Sequence, residues 1–244
     1  EPTPIEVPTY GTDQTLEVMT WNLQNFPKDS ETIPYLSRII PSLDIDLIAL
    51  QEISPLFATL LDSLPDYQGF KSNSSSYDMD LAFLFNPNRI TINNSYEIYS
   101  DNWYAFPRSP LVVEIEYKGT PLTIINNHLK CCNGYENEIR RTQASALLEN
   151  YIDENLQDQR VIILGDWNDE INFFQNFQIK PDEYEFADNE LTLSPEYWSY
   201  PTYPSHIDHI LITNELFEVM NNSGSSTNTL RIEDYLTKGW SEYY

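Results

Sequence analysis

The feature that most constrains this chain is the stretch Val161-Ile162-Ile163-Leu164-Gly165-Asp166-Trp167-Asn168, in which four aliphatics break at a glycine into an acid and an amide. The run Val161 to Leu164 has the length and β-branched content of a strand buried on both faces. Gly165 lets the backbone turn without a Cβ in the way. Asp166 and Asn168 lie two residues apart, so on an extended segment they share a face, and their oxygens can converge on one phosphate or one hydrated cation. An Asx-turn closing the strand is the competing reading. Either way, a packed sheet must lie beneath this stretch.

The 244 residues suffice for one large domain with a sizeable core, and 41% hydrophobic with 14% aromatic residues describes a globular chain. Residues 1–14 are expected to form an extended Pro/Thr/Glu-rich lead or tether, and residues 15–244 one catalytic domain. With 13 Lys and Arg against 38 Asp and Glu, the net charge of −25 opposes a polyanionic partner, unless bound cations invert the field locally. No stretch has the length of a membrane-spanning helix. The lead reads as a processed tether, so a secreted, periplasmic or cell-surface location is expected, and the protein is expected to be a monomer.

Leu16 to Asn22 reads as a half-buried strand. A helix is expected over Ser30 to Leu43 with Ser30 as N-cap and Pro34 in the first turn. Asp46 to Glu52 is a second buried strand, and Pro55 to Leu64 a second amphipathic helix. Strands follow at Met79–Phe85, Ile90–Tyr99, Leu111–Tyr117 and Leu122–Asn127, with Lys118-Gly119 as a hairpin tip and Asn73 to Ser76 as a mobile loop. Tyr135 to Leu156 is a long helix and Ile207 to Thr213 a further strand. This succession implies two sheets packed face to face with helices outside.

Trp21-Asn22, Gln51-Glu52, Asn127-His128 and Asp166-Trp167-Asn168 all place polar groups at strand ends. Ile207-Asp208-His209 opens another strand. Packing alone does not require such repetition. Met19-Thr20-Trp21-Asn22, Leu50-Gln51-Glu52, Ile125-Asn126-Asn127-His128, Leu164-Gly165-Asp166-Trp167-Asn168 and His206-Ile207-Asp208 together resemble the endonuclease/exonuclease/phosphatase superfamily with its deoxyribonuclease I-like fold. Arg108-Ser109-Pro110, just before a strand, matches an arginine position of that family.

The resemblance implies a four-layer αββα sandwich of two mixed sheets and a divalent-metal-dependent phosphoesterase using in-line attack of water. It implies Mg²⁺, or Mn²⁺ or Ca²⁺, held by Glu52 with Asn22 beside it. Asp166 would activate the water, and Asn168 and Arg108 would bind phosphate oxygens. His128 would donate to the phosphate or leaving oxygen, and Asp208 would pair with a histidine. A DNA-cleaving nuclease is the first expectation. The alternatives are a phosphoesterase for a small molecule, nucleotide or phospholipid headgroup, and a non-catalytic binding module. One rim of Lys71, Arg108, Lys130, Arg140 and Arg141 would favour nucleic acid, whereas scatter would favour a small substrate.

The family's final strand carries a Ser-Asp-His motif that has no counterpart after His209. A continuation past Tyr244, or a second fragment completing the sheet, is therefore expected to supply it. Asp78 and Asp80 are the candidates to support His128, and His206 and His209 are assigned to surface or packing. The adjacent Cys131 and Cys132 are expected to be oxidised to a vicinal disulfide, with two reduced thiols as the alternative.

Overall fold

The computed structural model describes residues 5–75, 79–200 and 205–235. β1 (Val18–Phe26), β2 (Leu47–Ile53), β3 (Gln68–Lys71) and β4 (Asp80–Phe85) form a four-stranded sheet in the order β1-β2-β4-β3. α1 (Thr32–Leu43) and α2 (Phe57–Asp62) are its intervening helices. β5 (Ile90–Glu97), β6 (Leu111–Tyr117), β7 (Thr120–His128), β8 (Val161–Asp166), β9 (Tyr184–Phe186) and β10 (Asp208–Thr213) make a six-stranded sheet ordered β5-β6-β7-β8-β10-β9. α3 (Tyr135–Asn155) crosses from β7 to its parallel neighbour β8, while β10 runs antiparallel to β8. Both sheets are mixed, as expected.

Side-chain alternation divides the core into three slabs. Ile39, Ile40 and Leu43 of α1 pack with Ile48 and Leu50 of β2 outside the small sheet. Leu47, Ala49, Ile124, Ile162, Leu164 and Ile212 fill the space between the sheets. Ile125, Ile163 and Leu211 face α3 with Ala144, Leu148 and Ile152. The result is the four-layer αββα arrangement. Gln51, Asn126 and Thr20 tie the two sheets together: Gln51 Nε2 donates to Asn126 Oδ1 at 2.8 Å and to Thr20 Oγ1 at 3.1 Å. Asn126 Nδ2 donates to the Leu50 and Ala82 carbonyls.

Local corrections have simple causes. Ser30 does not cap α1; Asp29 Oδ1 accepts the Glu31 and Thr32 N–H groups at 2.8 and 3.2 Å, and a carboxylate satisfies such donors as well as a hydroxyl. β3 and β9 are too short to show a period in sequence and form by pairing with β4 and β10. In the lead, Ile5, Val7 and Tyr10 pack against the small sheet's outer slab, and the Tyr10 N–H donates to the Leu43 carbonyl. Ser76 of the loop expected to be mobile, Asp78, and the strand-like run expected over Lys238 to Tyr244 lie outside the described residues.

Candidate functional site

The site forms in the space between the sheets where β7 and β8 end, β10 begins and β1 and β2 become irregular. Asn126 and His128, Leu164 and Asp166, and Asp208 and Ile210 all project into that space by strand alternation. Asp208 is the cross-strand partner of Asp166, and His128 lies in register with Asp166 on β7. Gly165 makes that register attainable: a Cβ there would lie 1.9 Å from the Asn127 carbonyl oxygen.

Glu52 reaches the site by a different route. Regular alternation would turn it with Ile48 and Leu50 toward α1, but the pairing of β2 with β4 shifts register between Leu50 and Ile53. Glu52 has φ +63° within this bulge, a strained conformation for a residue with a side chain. A facing irregularity in β1, between Asn22 and Phe26, brings the Asn25 N–H to 2.7 Å from Glu52 Oε2. The two bulges aim the carboxylate inward. Local backbone strain at a polar strand end is characteristic of a functional position.

Asn22 stands between two acids, with Nδ2 donating to Asp166 Oδ2 at 2.9 Å and Glu52 Oε1 at 3.2 Å. Its Oδ1 accepts the Gln24 N–H at 2.9 Å. His128 Nε2 lies 3.5 Å from Asp166 Oδ2 and 4.0 Å from Glu52 Oε1, and the ring is 2% exposed. Asn168 has φ +55°, tolerated by asparagine. Its N–H donates to Asp166 Oδ1 at 2.9 Å and its Nδ2 to the Leu129 carbonyl at 3.2 Å. Arg108 is half-buried with Nη2 3.7 Å from Met79 Sδ, and the charges of Glu52 and Asp166 act on it. The structure therefore gathers Asn22, Glu52, His128, Asp166, Asn168 and Asp208 around one pocket, with Arg108 beside it.

The electrostatics of this cluster are unbalanced. Burial, then the charge of Asp208, pushes the Asp166 carboxyl well above its usual range. Asp208 is raised by burial as well, and its Oδ1 has no hydrogen-bond partner among the described residues. Burial and the charges of Arg108 and Lys130 hold His128 well below the ordinary imidazole value, so it is neutral, and its Nδ1 is likewise unpartnered. Carboxylates crowded in a partly dry pocket need a counter-charge. Glu52 and Asp166, both touching Asn22, with Asp208 across the strand pair, offer hard oxygen donors of the kind that suits Mg²⁺, Mn²⁺ or Ca²⁺.

His209 alternates to the face opposite Asp208, as the strand pattern implies, and both His206 and His209 bind Asp188. Two sequence expectations resolve differently. Asp80 does not support His128; Lys71 Nζ holds it at 2.6 Å. Cys131 and Cys132 are free thiols with Sγ atoms 2.7 Å apart. Adjacent Cα atoms are closer than a disulfide ordinarily spans, so reduced thiols avoid a strained ring. Asp188 was not singled out, because it lies in an irregular segment with no periodic pattern.

Asp188, His206 and His209 bring three potential metal-ligating atoms together, all in buried residues. Hydrogen-bond direction opposes a metal there. His206 Nδ1 accepts the Ser199 N–H at 3.2 Å, so Nε2 carries the ring hydrogen and donates it to Asp188 Oδ2 at 2.9 Å. A metal on that nitrogen would need it bare.

A profile of the Endonuclease/Exonuclease/phosphatase family matches residues 19–223. No curated protein matches the sequence. Among solved structures, D. rerio TDP2 complexed with a single-strand DNA product is 18% identical, with TM-score 0.68, over 82% of this chain and 84% of that one. The human Nocturnin catalytic domain with bound sulfate is 22% identical, with TM-score 0.64, over 81% of each chain. A Bacteroides thetaiotaomicron mannosyl-6-phosphatase is 15% identical, with TM-score 0.65, over 82% of this chain and 85% of that one. Identities this low establish likeness of fold.

Proposed function

The chain belongs to the endonuclease/exonuclease/phosphatase family, whose members are hydrolytic phosphoesterases that use divalent metals, and from that premise we propose that it hydrolyses a small phosphoester by in-line attack of water. The carrying observation is the unbalanced trio of Glu52, Asp166 and Asp208 beside a neutral, buried His128. Glu52, with Asn22 beside it, would hold the cation. When bound, that cation supplies charge neutralisation at the phosphoryl oxygens.

The remaining work falls to the chain. Asp166, whose carboxyl is raised by burial and by the charge of Asp208, orients the attacking water and takes its proton. His128, being neutral, donates a single N–H to a phosphoryl or leaving oxygen. Asn168 and Arg108 contribute further donors to the charge that grows in the transition state. Asn22 keeps the Glu52 and Asp166 carboxylates apart at fixed distance.

A small substrate is favoured over a long polyanion because the nearby cations are already engaged. Arg141 is bound to Asp169 and two carbonyls, Lys71 to Asp80, and Arg140 to the Trp103 and Tyr104 carbonyls. Few charges remain to release counterions from a nucleic-acid backbone. The nuclease reading retains one supporting observation, the exposed rings of Trp103 and Tyr135, which suit base stacking.

The test is a hydrolysis panel with Mg²⁺ and with excess chelator, using plasmid, oligonucleotide, sugar phosphate and bis(p-nitrophenyl) phosphate. Turnover of the small esters that disappears with chelator, and that salt leaves nearly unchanged, is expected. Plasmid or oligonucleotide cleavage with a steep salt dependence would replace this reading with the nuclease. Hydrolysis indifferent to chelator would reject the metal role.

A further inference from the structure

We infer that His209 is a positioning residue for the catalytic loop 166–169, acting through the Asp169 carbonyl and anchored by Asp188 and His206; the inference rests on the phosphoesterase reading of that loop. His209 faces away from the pocket and is fully buried among Trp167, Phe174 and Phe186, with ring centroids 5.7–6.4 Å away. Its Nε2 lies 2.9 Å from the Asp169 carbonyl oxygen. A carbonyl only accepts, so Nε2 carries a hydrogen.

Nδ1 lies 2.6 Å from Asp188 Oδ2, the oxygen that also accepts from His206 Nε2 at 2.9 Å. Asp188 Oδ1 accepts the Ile210 N–H at 2.8 Å. With the two other donors already committed to it, Asp188 is an ionised acceptor, and His209 donates from both nitrogens as an imidazolium. The titration properties agree. Burial opposes charge on both groups, yet the His209 charge and three donated hydrogen bonds hold Asp188 below the usual carboxylate range, and Asp188 raises His209.

The Asp169 side chain and the start of the loop are fixed separately. Arg141 Nε and Nη2 bind Asp169 Oδ2 at 3.0 and 2.7 Å, while Arg141 Nη1 binds the Lys130 and Cys132 carbonyls. Asp166 O accepts the Leu129 N–H at 2.9 Å, and the Trp167 N–H donates to the Ile207 carbonyl at 2.8 Å. Between these anchors Asn168 sits at φ +55°, and its amide lines the pocket. The Asp169 carbonyl is the last backbone group of this turn, and His209 is what holds it.

Two near-isosteric variants separate positioning from simple packing. The amide nitrogen of His209→Gln sits near the Nε2 position and keeps a donor toward Asp169. That of His209→Asn sits near Nδ1 and keeps a donor only toward Asp188. Both remove the buried charge. Amide hydrogen exchange in the peptide 165–170 is expected to rise more in Asn than in Gln. With bis(p-nitrophenyl) phosphate and Mg²⁺, His209→Asn is expected to lose about tenfold in kcat with KM nearly unchanged, whereas Gln stays within about threefold of wild type. Nitrogen NMR of the wild-type imidazole is expected to show Nε2 protonated.

Equal exchange in the two variants, the reverse order, or a bare Nε2 would overturn the inference. A wild-type protein that hydrolyses none of the test esters would instead count against the phosphoesterase reading, and the exchange comparison would still decide the role of His209.

Discussion

The two faces of the β8–β10 strand pair each carry buried acids, and they treat them oppositely. Toward the space between the sheets, Asp166 and Asp208 face one another near Glu52, both pushed up by burial, with one Asp208 oxygen unpartnered among the described residues. Toward α3, Asp188 is just as buried but accepts three donors and is held below its usual range. Burial is common to both clusters, so burial alone does not mark function. Compensation does: the satisfied acid belongs to the scaffold, while the uncompensated pair leaves room for a ligand charge.

Breaking the compensated side should produce the largest effect. Asp188→Ala strips the acceptor from two histidines and the Ile210 N–H and leaves a buried cation alone, at a cost of about 3–5 kcal/mol. Urea denaturation measures it, and a loss below about 1 kcal/mol would mean that the three donors find water instead.

Next comes the uncompensated side. Glu52→Gln removes one acid from the crowded pocket while keeping its volume. Metal-dependent hydrolysis is expected to fall by at least about a hundredfold. Stability without metal should hold or rise slightly, which a thermal melt checks. A comparable loss of stability and activity would erase the contrast between the two clusters.

The pH dependence gives the smallest and most diagnostic effect. Raised carboxyls at Asp166 and Asp208 mean that the folded protein holds protons the unfolded chain has released, so stability falls as pH rises above about 4. The raised His209 contributes stability that is complete below about pH 6.5 and is lost as pH climbs through its folded value. Asp188 acts in the other direction, its contribution fading only as pH drops below about 4. A metal-free stability maximum near about pH 4 is therefore expected. Saturating Mg²⁺ should flatten the part of the decline that comes from Asp166 and Asp208, and leave the His209 part in place.

How far the site was legible depends on how each residue reaches it. Asp166 and His128 sit at the ends of strands whose aliphatic runs mark them, Asn22 lies inside β1 beside its irregularity, and alternation sends all three inward. Asp208 was legible as a site residue from the strand it opens. Glu52 arrives through a bulge in β2 that no local pattern announces, because a bulge is a mismatch between two strands and not a property of one. Asp188 was invisible for a related reason: the residues flanking it carry no period, and its meaning comes from two histidines 18 and 21 positions away.

The sequence by itself determined the layers: short aliphatic strands alternating with amphipathic helices have few ways to bury their faces, and periods of two and 3.6 are local properties. Only the tertiary structure decided which acids lack a counter-charge and which are satisfied. That distinction depends on distances between chain segments and on the dielectric between them, and neither is encoded in any single stretch.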